Sequence, residues 1–183
     1  MNILERNNVK VTGQGKQALV FAHGFGCDQA MWRMVAPAFE QDYQVVLFDY
    51  VGGGQSDLDA YDPERYNSLA GYARDVVEVC EQLDLHNAIL VGHSVSSMIC
   101  LLAAIDMPQR IERLVMVCPS PRYLNDPPAY HGGFESADIE GLLDMIERNQ
   151  TGWANYLAGV VMKNPDRPEL GAELEASFCA MDP

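Results

Sequence analysis

The residues Gly92-His93-Ser94-Val95-Ser96 follow directly on the apolar run Ala88-Ile89-Leu90-Val91. A serine that attacks a carbonyl must project its hydroxyl from a tight, strained turn between a buried strand and a helix. Its neighbours two before and two after must be small, because the two backbones pass close there. Gly92 meets this requirement fully and Ser96 approximately. The same five residues also fit a plain strand that ends in a polar turn. The sequel favours the first reading: Val95 to about Met107 reads as a helix, apolar at Ile99, Leu102 and Ala103, and Pro108 stops it. Strand, serine and helix stand in the order of a nucleophile elbow.

Two upstream segments suit the same chemistry. Ala18-Leu19-Val20-Phe21-Ala22 reads as a second buried strand and runs into His23-Gly24-Phe25-Gly26. In acyl transfer the loop after such an early strand lends one backbone N–H to the oxyanion, and the residue after the nucleophile lends another. The donors here are the amides of Phe25 and Val95, each worth about 2.7–4 kcal/mol in the transition state. A glycine turn with no catalytic part is the alternative. The third segment is the strand Gln44–Phe48 followed by Asp49-Tyr50-Val51-Gly52-Gly53-Gly54-Gln55-Ser56. Its glycines do not form a phosphate cradle: the Lys-Ser/Thr of a P-loop is missing and the spacing departs from Gly-x-Gly-x-x-Gly.

Taken in order, His-Gly-Phe-Gly at 23–26, Asp-x-x-Gly-x-Gly-x-Ser at 49–56 and Gly-His-Ser at 92–94 resemble the α/β-hydrolase superfamily. Within it, Phe25–Gln29, Val35–Phe39, Leu47–Gly52 and Tyr123-Leu124-Asn125-Asp126-Pro127-Pro128 are most similar to the RsbQ-type sigma-B regulation proteins. Kinship with the plant strigolactone and karrikin receptors is implied too. The resemblance extends over essentially the whole chain. Ser96-Ser97, in place of a Gly-Ala type pair, and the extra glycine at 53–54 depart from the pattern.

The resemblance implies a Ser-His-Asp triad in the chain order serine, acid, histidine. It also implies a length on the order of 260 residues, as α/β domains run, against the 183 given. The acid and the histidine are therefore expected beyond Pro183. None of His23, His86, His93 and His131 stands at a position matching the family's base. The 183 residues read as a C-terminally truncated piece, inactive as such, with the strand Leu114–Cys118 left as an open, association-prone edge.

The elements that must hold these residues alternate. Val9–Val11, Ala18–Ala22, Gln44–Phe48, Ala88–Val91 and Leu114–Cys118 read as strands. Ala30–Phe39 reads as a short helix with Trp32, Val35 and Phe39 on one side. Ser68–Leu83 reads as a longer one, capped by Ser68, with Leu69, Tyr72, Ala73, Val76, Cys80 and Leu83 on its apolar face. This is an α/β core, a mostly parallel sheet with helices on both faces, over residues 1–121. From Arg122 the alternation stops. Three helical stripes follow, at Ile139–Ile146, Trp153–Val161 and Leu170–Phe178, and the resemblance makes residues 122–183 a helical cap. The stripe 153–161 either lines an apolar ligand pocket or packs within the cap.

Composition narrows the function classes. An apolar share of 48% is ample for a core. A net charge of −14 disfavours nucleic acid and anionic membranes as partners. No apolar run approaches the roughly 18 residues of a membrane span, and the N-terminus lacks signal-peptide features, which suggests a cytoplasmic protein. The five cysteines, without Cys-x-x-Cys spacing, are expected to be reduced and mostly buried, with no metal and no cofactor. The expected activity is serine hydrolysis of a small, apolar ester or lactone-like compound by Ser94, in stress-response signalling. The alternative is a ligand-binding regulatory protein with little turnover that activates a phosphatase partner. An epoxide hydrolase or dehalogenase is disfavoured, since those carry Asp where Ser94 stands.

Overall fold

The computed structural model describes residues 2–181. The chain divides into two compact units, Met1–Pro119 and Ser120–Pro183. The first holds five strands: β1 (Lys10–Thr12), β2 (Ala18–Ala22), β3 (Gln44–Leu47), β4 (Ala88–His93) and β5 (Ile111–Val117). Their order across the sheet is β1-β3-β2-β4-β5, with β1 antiparallel to β3 and the other pairs parallel.

Strand β2 is buried at every position because both faces of the sheet are covered. Its residues alternate between the two cores with the two-residue period of a strand. Ala18, Val20 and Ala22 join Val46, Phe48 and Leu90 on one face, where α2 (Leu69–Gln82) adds Ala73, Val76, Val77 and Cys80. Helix α3 (Val95–Asp106) packs Ile99, Cys100 and Ala103 into the same core. Leu19 and Phe21 face the other way, with Val45, Ile89, Val91, Trp32 and Ala36.

That second face is covered differently from the sequence expectation. Residues 30–39 form two 3-10 turns, Gln29–Trp32 and Ala36–Phe39, in place of one helix. Pro37 has no N–H to continue a helical ladder. Trp32 is buried, while Val35 and Phe39 are exposed. Two further expectations are corrected. Ser68 stands at the N-cap of α2, yet its side chain makes no capping hydrogen bond, and Leu69 is exposed. Of the cysteines only Cys80 and Cys100 are buried; Cys27 is half-buried, and Cys118, just past β5, and Cys179, at the end of the last helix, are exposed.

A polar knot anchors α2. The carboxylate of Asp75, fully buried, accepts hydrogen bonds from Arg6, Asn7, Arg65, Tyr66 and the Val51 N–H. It ties the short N-terminal helix α1 (Ile3–Arg6) and the loop after β3 to the middle of the helix. Burial pulls the neighbouring Glu78 carboxyl up, but Arg65 and Arg6 outweigh it and hold it below the usual range.

The second unit is helical: α4 (Ser136–Arg148), α5 (Gln150–Met162) and α6 (Pro168–Cys179). A reciprocal pair of hydrogen bonds between Glu135 and Asp138 caps α4. Trp153, Ala154, Ala158 and Phe178 form its core, with the two rings 5.0 Å apart. The stripe 153–161 therefore splits: Trp153 packs inside the unit, and Tyr156, Val160 and Val161 are exposed.

Candidate active site

The chain leaves β2 toward β3 on one side and leaves β4 toward β5 on the other. Such a reversal of strand order opens a crevice at the carboxyl ends of the two central strands. The pairing Ala22↔Gly92 puts the residues that follow, His23-Gly24-Phe25 and His93-Ser94-Val95, at that point. The two segments singled out for chemistry are thus neighbours.

Ser94 adopts φ 57° and ψ −122°. A side chain is strained in that conformation by about 1–3 kcal/mol, so the surrounding structure has to impose it. One hydrogen bond that does so runs from the Ser94 N–H to the Val117 carbonyl, 2.8 Å away at the end of β5. Helix α3 begins at the next residue, Val95, whose N–H lies in the first turn and has no acceptor within the helix. Gly92 leaves no space for a Cβ, which would collide with the Ser96 carbonyl, as expected for a strand and helix that pass this close. Ser97 reinforces the turn by donating its hydroxyl to the Gly92 carbonyl at 2.8 Å.

The loop after β2 reaches the serine through Gly24. A Cβ added there would stand 3.5 Å from the Ser94 Cβ and 2.6 Å from Nδ1 of His93. Phe25, the next residue, is exposed. The side chain of His93 meets the Trp32 ring edge-on. Nδ1 of His93 and Nε1 of Trp32 are buried polar atoms without a hydrogen-bond partner among the described residues. Burial and the neighbouring His23 both lower the His93 pKa.

His23 is buried, and its imidazole is bonded at both nitrogens. Nδ1 lies 3.0 Å from the Gly24 carbonyl and Nε2 lies 3.3 Å from the Tyr50 N–H. Burial lowers its pKa against the opposing pull of the Gly24 hydrogen bond, Asp49 and Asp28. Asp49, also buried, accepts from the Gln29 N–H at 2.8 Å, from Asn8 Nδ2 at 2.7 Å and from the Gln55 N–H at 3.0 Å. It thereby fixes the far end of the loop that carries Phe25. His86 belongs elsewhere, paired with Asp84 in an exposed connection.

Sequence reasoning missed three members of this framework. Tyr50 was one residue of a motif, Ser96 only a small neighbour of the elbow, and Asp49 a motif position. A carboxylate directly after the apolar strand Gln44–Phe48 read from the sequence was the available signal. Among the described residues no group of three or more His, Cys, Asp or Glu side chains is arranged to hold a metal ion. Among the same residues no helix is long and apolar enough to cross a membrane.

Residues 17–169 match the family model of the alpha/beta hydrolase fold. The chain belongs to the α/β-hydrolase family. This α/β hydrolase is 40% identical over 182 residues to strigolactone esterase D14 of Arabidopsis thaliana, covering all of this chain and 67% of that one. It is 44% identical over 158 residues to karrikin insensitive 2 receptor CA of Petunia hybrida, covering 86% of this chain and 58% of the receptor. A solved hydrolase from Oleispira antarctica superposes with a TM-score of 0.96 at 49% identity, over 99% of this chain and 66% of that one. The chain thus spans 58% of the petunia receptor and about two thirds of the other two.

Proposed function

We propose that the protein is a serine hydrolase of RsbQ type that cleaves a small, apolar ester or lactone. The observation that carries this reading is the strained backbone of Ser94 at the β4–α3 turn, with Gly24 of the neighbouring loop against its Cβ. Strain of this kind aims a side chain out of a sheet end, where a carbonyl can reach it. The Ser94 oxygen forms a bond to the carbonyl carbon, and the Phe25 and Val95 N–H groups hold the oxyanion. Collapse expels the alkoxide, which takes up the proton lost by Ser94. Water then attacks the acyl-serine, releases the acid and restores the hydroxyl.

The proton transfers need a base. Within the first unit His23 is committed to backbone groups, His86 is paired with Asp84, and the His93 ring lies against Gly24. The reading therefore assigns the triad histidine and its acid to sequence that follows residue 183, the family's order being serine, acid, histidine. In this reading residues 122–183 are the helical cap that the resemblance implies.

A second reading rests on the same site: a cytoplasmic receptor-like protein that binds a small apolar ligand, turns it over slowly and engages a regulatory phosphatase. It is favoured by the petunia relative, karrikin insensitive 2 receptor CA, which is 44% identical and named a receptor. One experiment serves both. A fluorophosphonate should label the full-length natural protein at Ser94, and Ser94→Ala should abolish labelling and ester hydrolysis together. Labelling that survives the substitution would sink the assignment. A turnover of many cycles per second favours the enzyme, and one of minutes per cycle favours the receptor-like protein.

A further inference from the structure

The backbone N–H of Tyr50 can only donate, so Nε2 of His23, 3.3 Å away, is the acceptor. The imidazole proton therefore sits on Nδ1 and is donated to the Gly24 carbonyl at 3.0 Å. That carbonyl and the N–H of Phe25 belong to one planar peptide and point in opposite directions. Holding the carbonyl fixes the direction of the N–H. The Cys27 N–H donates to the same Gly24 oxygen at 3.3 Å and closes the turn.

His23 is itself held. Ser96 donates its hydroxyl to the His23 carbonyl. A hydroxyl has one proton, so the 3.0 Å contact between Ser96 Oγ and the Tyr50 hydroxyl is a donation from Tyr50. The chain of donors runs from the Tyr50 hydroxyl through Ser96 to the His23 carbonyl, and from the Tyr50 N–H through the imidazole to the Gly24 carbonyl. Both branches start at Tyr50: one closes on the His23–Gly24 peptide and the other on the Gly24–Phe25 peptide, so the two consecutive peptides that lead to Phe25 are both held. Tyr50, His23 and Ser96 are all buried, which shields these bonds from water.

We propose that His23, fixed by Tyr50 and Ser96, is a positioning residue that aims the Phe25 N–H at the oxyanion formed on the Ser94 adduct. The proposal rests on the reading of Ser94 and Phe25 given above. It assigns His23 no part in proton transfer: its one proton is committed to a carbonyl and its lone pair to an amide. Two substitutions separate the functions of the two ring nitrogens. His23→Asn keeps an N–H donor where Nδ1 stands, and His23→Gln keeps an acceptor where Nε2 stands but has no donor for Gly24.

The test uses the full-length natural protein, with kcat normalised to the Ser94 sites titrated by a fluorophosphonate. His23→Gln should lose about 10- to 100-fold in kcat per titrated site at unchanged KM, the scale of a misdirected catalytic group. His23→Asn should retain activity within about threefold, since it keeps the donor. Affinity for a trifluoromethyl ketone, which forms a tetrahedral oxyanion on the serine, should fall in step with kcat. Ser96→Ala, a smaller change for use should the His23 variants not fold, should lower kcat and ketone affinity together. Equal kcat per site in all variants, with only melting temperature or yield reduced, overturns the proposal, because packing alone then accounts for His23. Equal losses in the Asn and Gln variants overturn it as well. Hydrolysis by wild type that survives Ser94→Ala overturns instead the reading of the site beneath it.

Discussion

Gly24 and His93 are in such close contact that a Cβ on Gly24 would stand 2.6 Å from the imidazole Nδ1. The contact joins the loop after β2 to the residue before Ser94. It follows from the parallel pairing of β2 with β4, which brings Ala22 beside Gly92 and so aligns the two loops. Trp32, perpendicular to the His93 ring, limits how far that ring can retreat.

Gly24→Ala should therefore push the loop away from Ser94. Overpacking of this kind costs roughly 1–3 kcal/mol. Fluorophosphonate labelling of Ser94 should slow at least tenfold, an effect of about 1.4 kcal/mol on the barrier. The added substitution His93→Ala removes the obstacle, so the double variant should recover stability relative to the sum of the singles by about 1 kcal/mol. Additive losses in urea unfolding would show that the collision is not with His93.

Ser94 pays for its position in backbone strain, and that cost is measurable. With φ 57° and ψ −122°, the residue occupies the mirror image of an extended conformation, open to glycine and costly to any side chain. Ser94→Ala and Ser94→Gly both delete the hydroxyl, but only glycine relieves the strain. The glycine variant should unfold at higher urea than the alanine variant, by about 1 kcal/mol in stability. The reverse order would mean that the turn is not strained at this residue.

Asp75 offers the largest stability effect. Its carboxylate is fully buried and faces Arg6 at 3.1 Å and Arg65 at 2.7 Å. Asp75→Ala removes one of the two carboxylates that pair with Arg6 and Arg65, leaving Glu78 at 2.7 and 2.9 Å, and deprives the Tyr66 hydroxyl of its acceptor, a change on the order of 3 kcal/mol. Loss of the bond to the Val51 N–H also loosens the segment that carries Tyr50. A drop below about 1 kcal/mol in chemical denaturation would contradict this picture and show that Glu78 alone satisfies the arginines.

The parts legible in the sequence are those that local pattern dictates. The apolar runs of β2, β3 and β4 emerged within one or two residues, because strands buried on both faces have to be continuously apolar. The elbow was legible for a similar reason: the turn at Ser94 admits few residue types, and Gly92 is one of them. What remained hidden was long-range. Asp75 is one polar residue among several in the sequence of α2, and its partners Arg6 and Asn7 lie 69 and 68 residues away. Ser96 reaches across 73 residues to His23. The helix expected at 30–39 gives way to two separate turns, the second with Pro37 in its first two positions, and only Trp32 of the expected apolar side is buried.

The two histidines of the site make stability depend on pH with a definite sign. Burial lowers the pKa of His23 and of His93 below the ordinary value, against Asp49 and Asp28, which pull that of His23 up. In the unfolded chain both titrate near ~6.5. Between that value and the lowered ones, the unfolded state binds protons that the folded state refuses, so stability falls as the solution is acidified. The slope reaches about 1.4 kcal/mol per pH unit for each histidine inside its window. Their contribution is complete above pH ~6.5 and is lost progressively below it. Glu78, held low by Arg65 and Arg6, adds a loss of the same sign in a lower window, below the ordinary carboxylate value. Urea unfolding between pH 7.5 and 5.5 should therefore show a declining stability, and His93→Gln should flatten the decline by one histidine's share. A profile that is level over that interval in the unsubstituted protein would mean that neither imidazole is kept neutral by the fold.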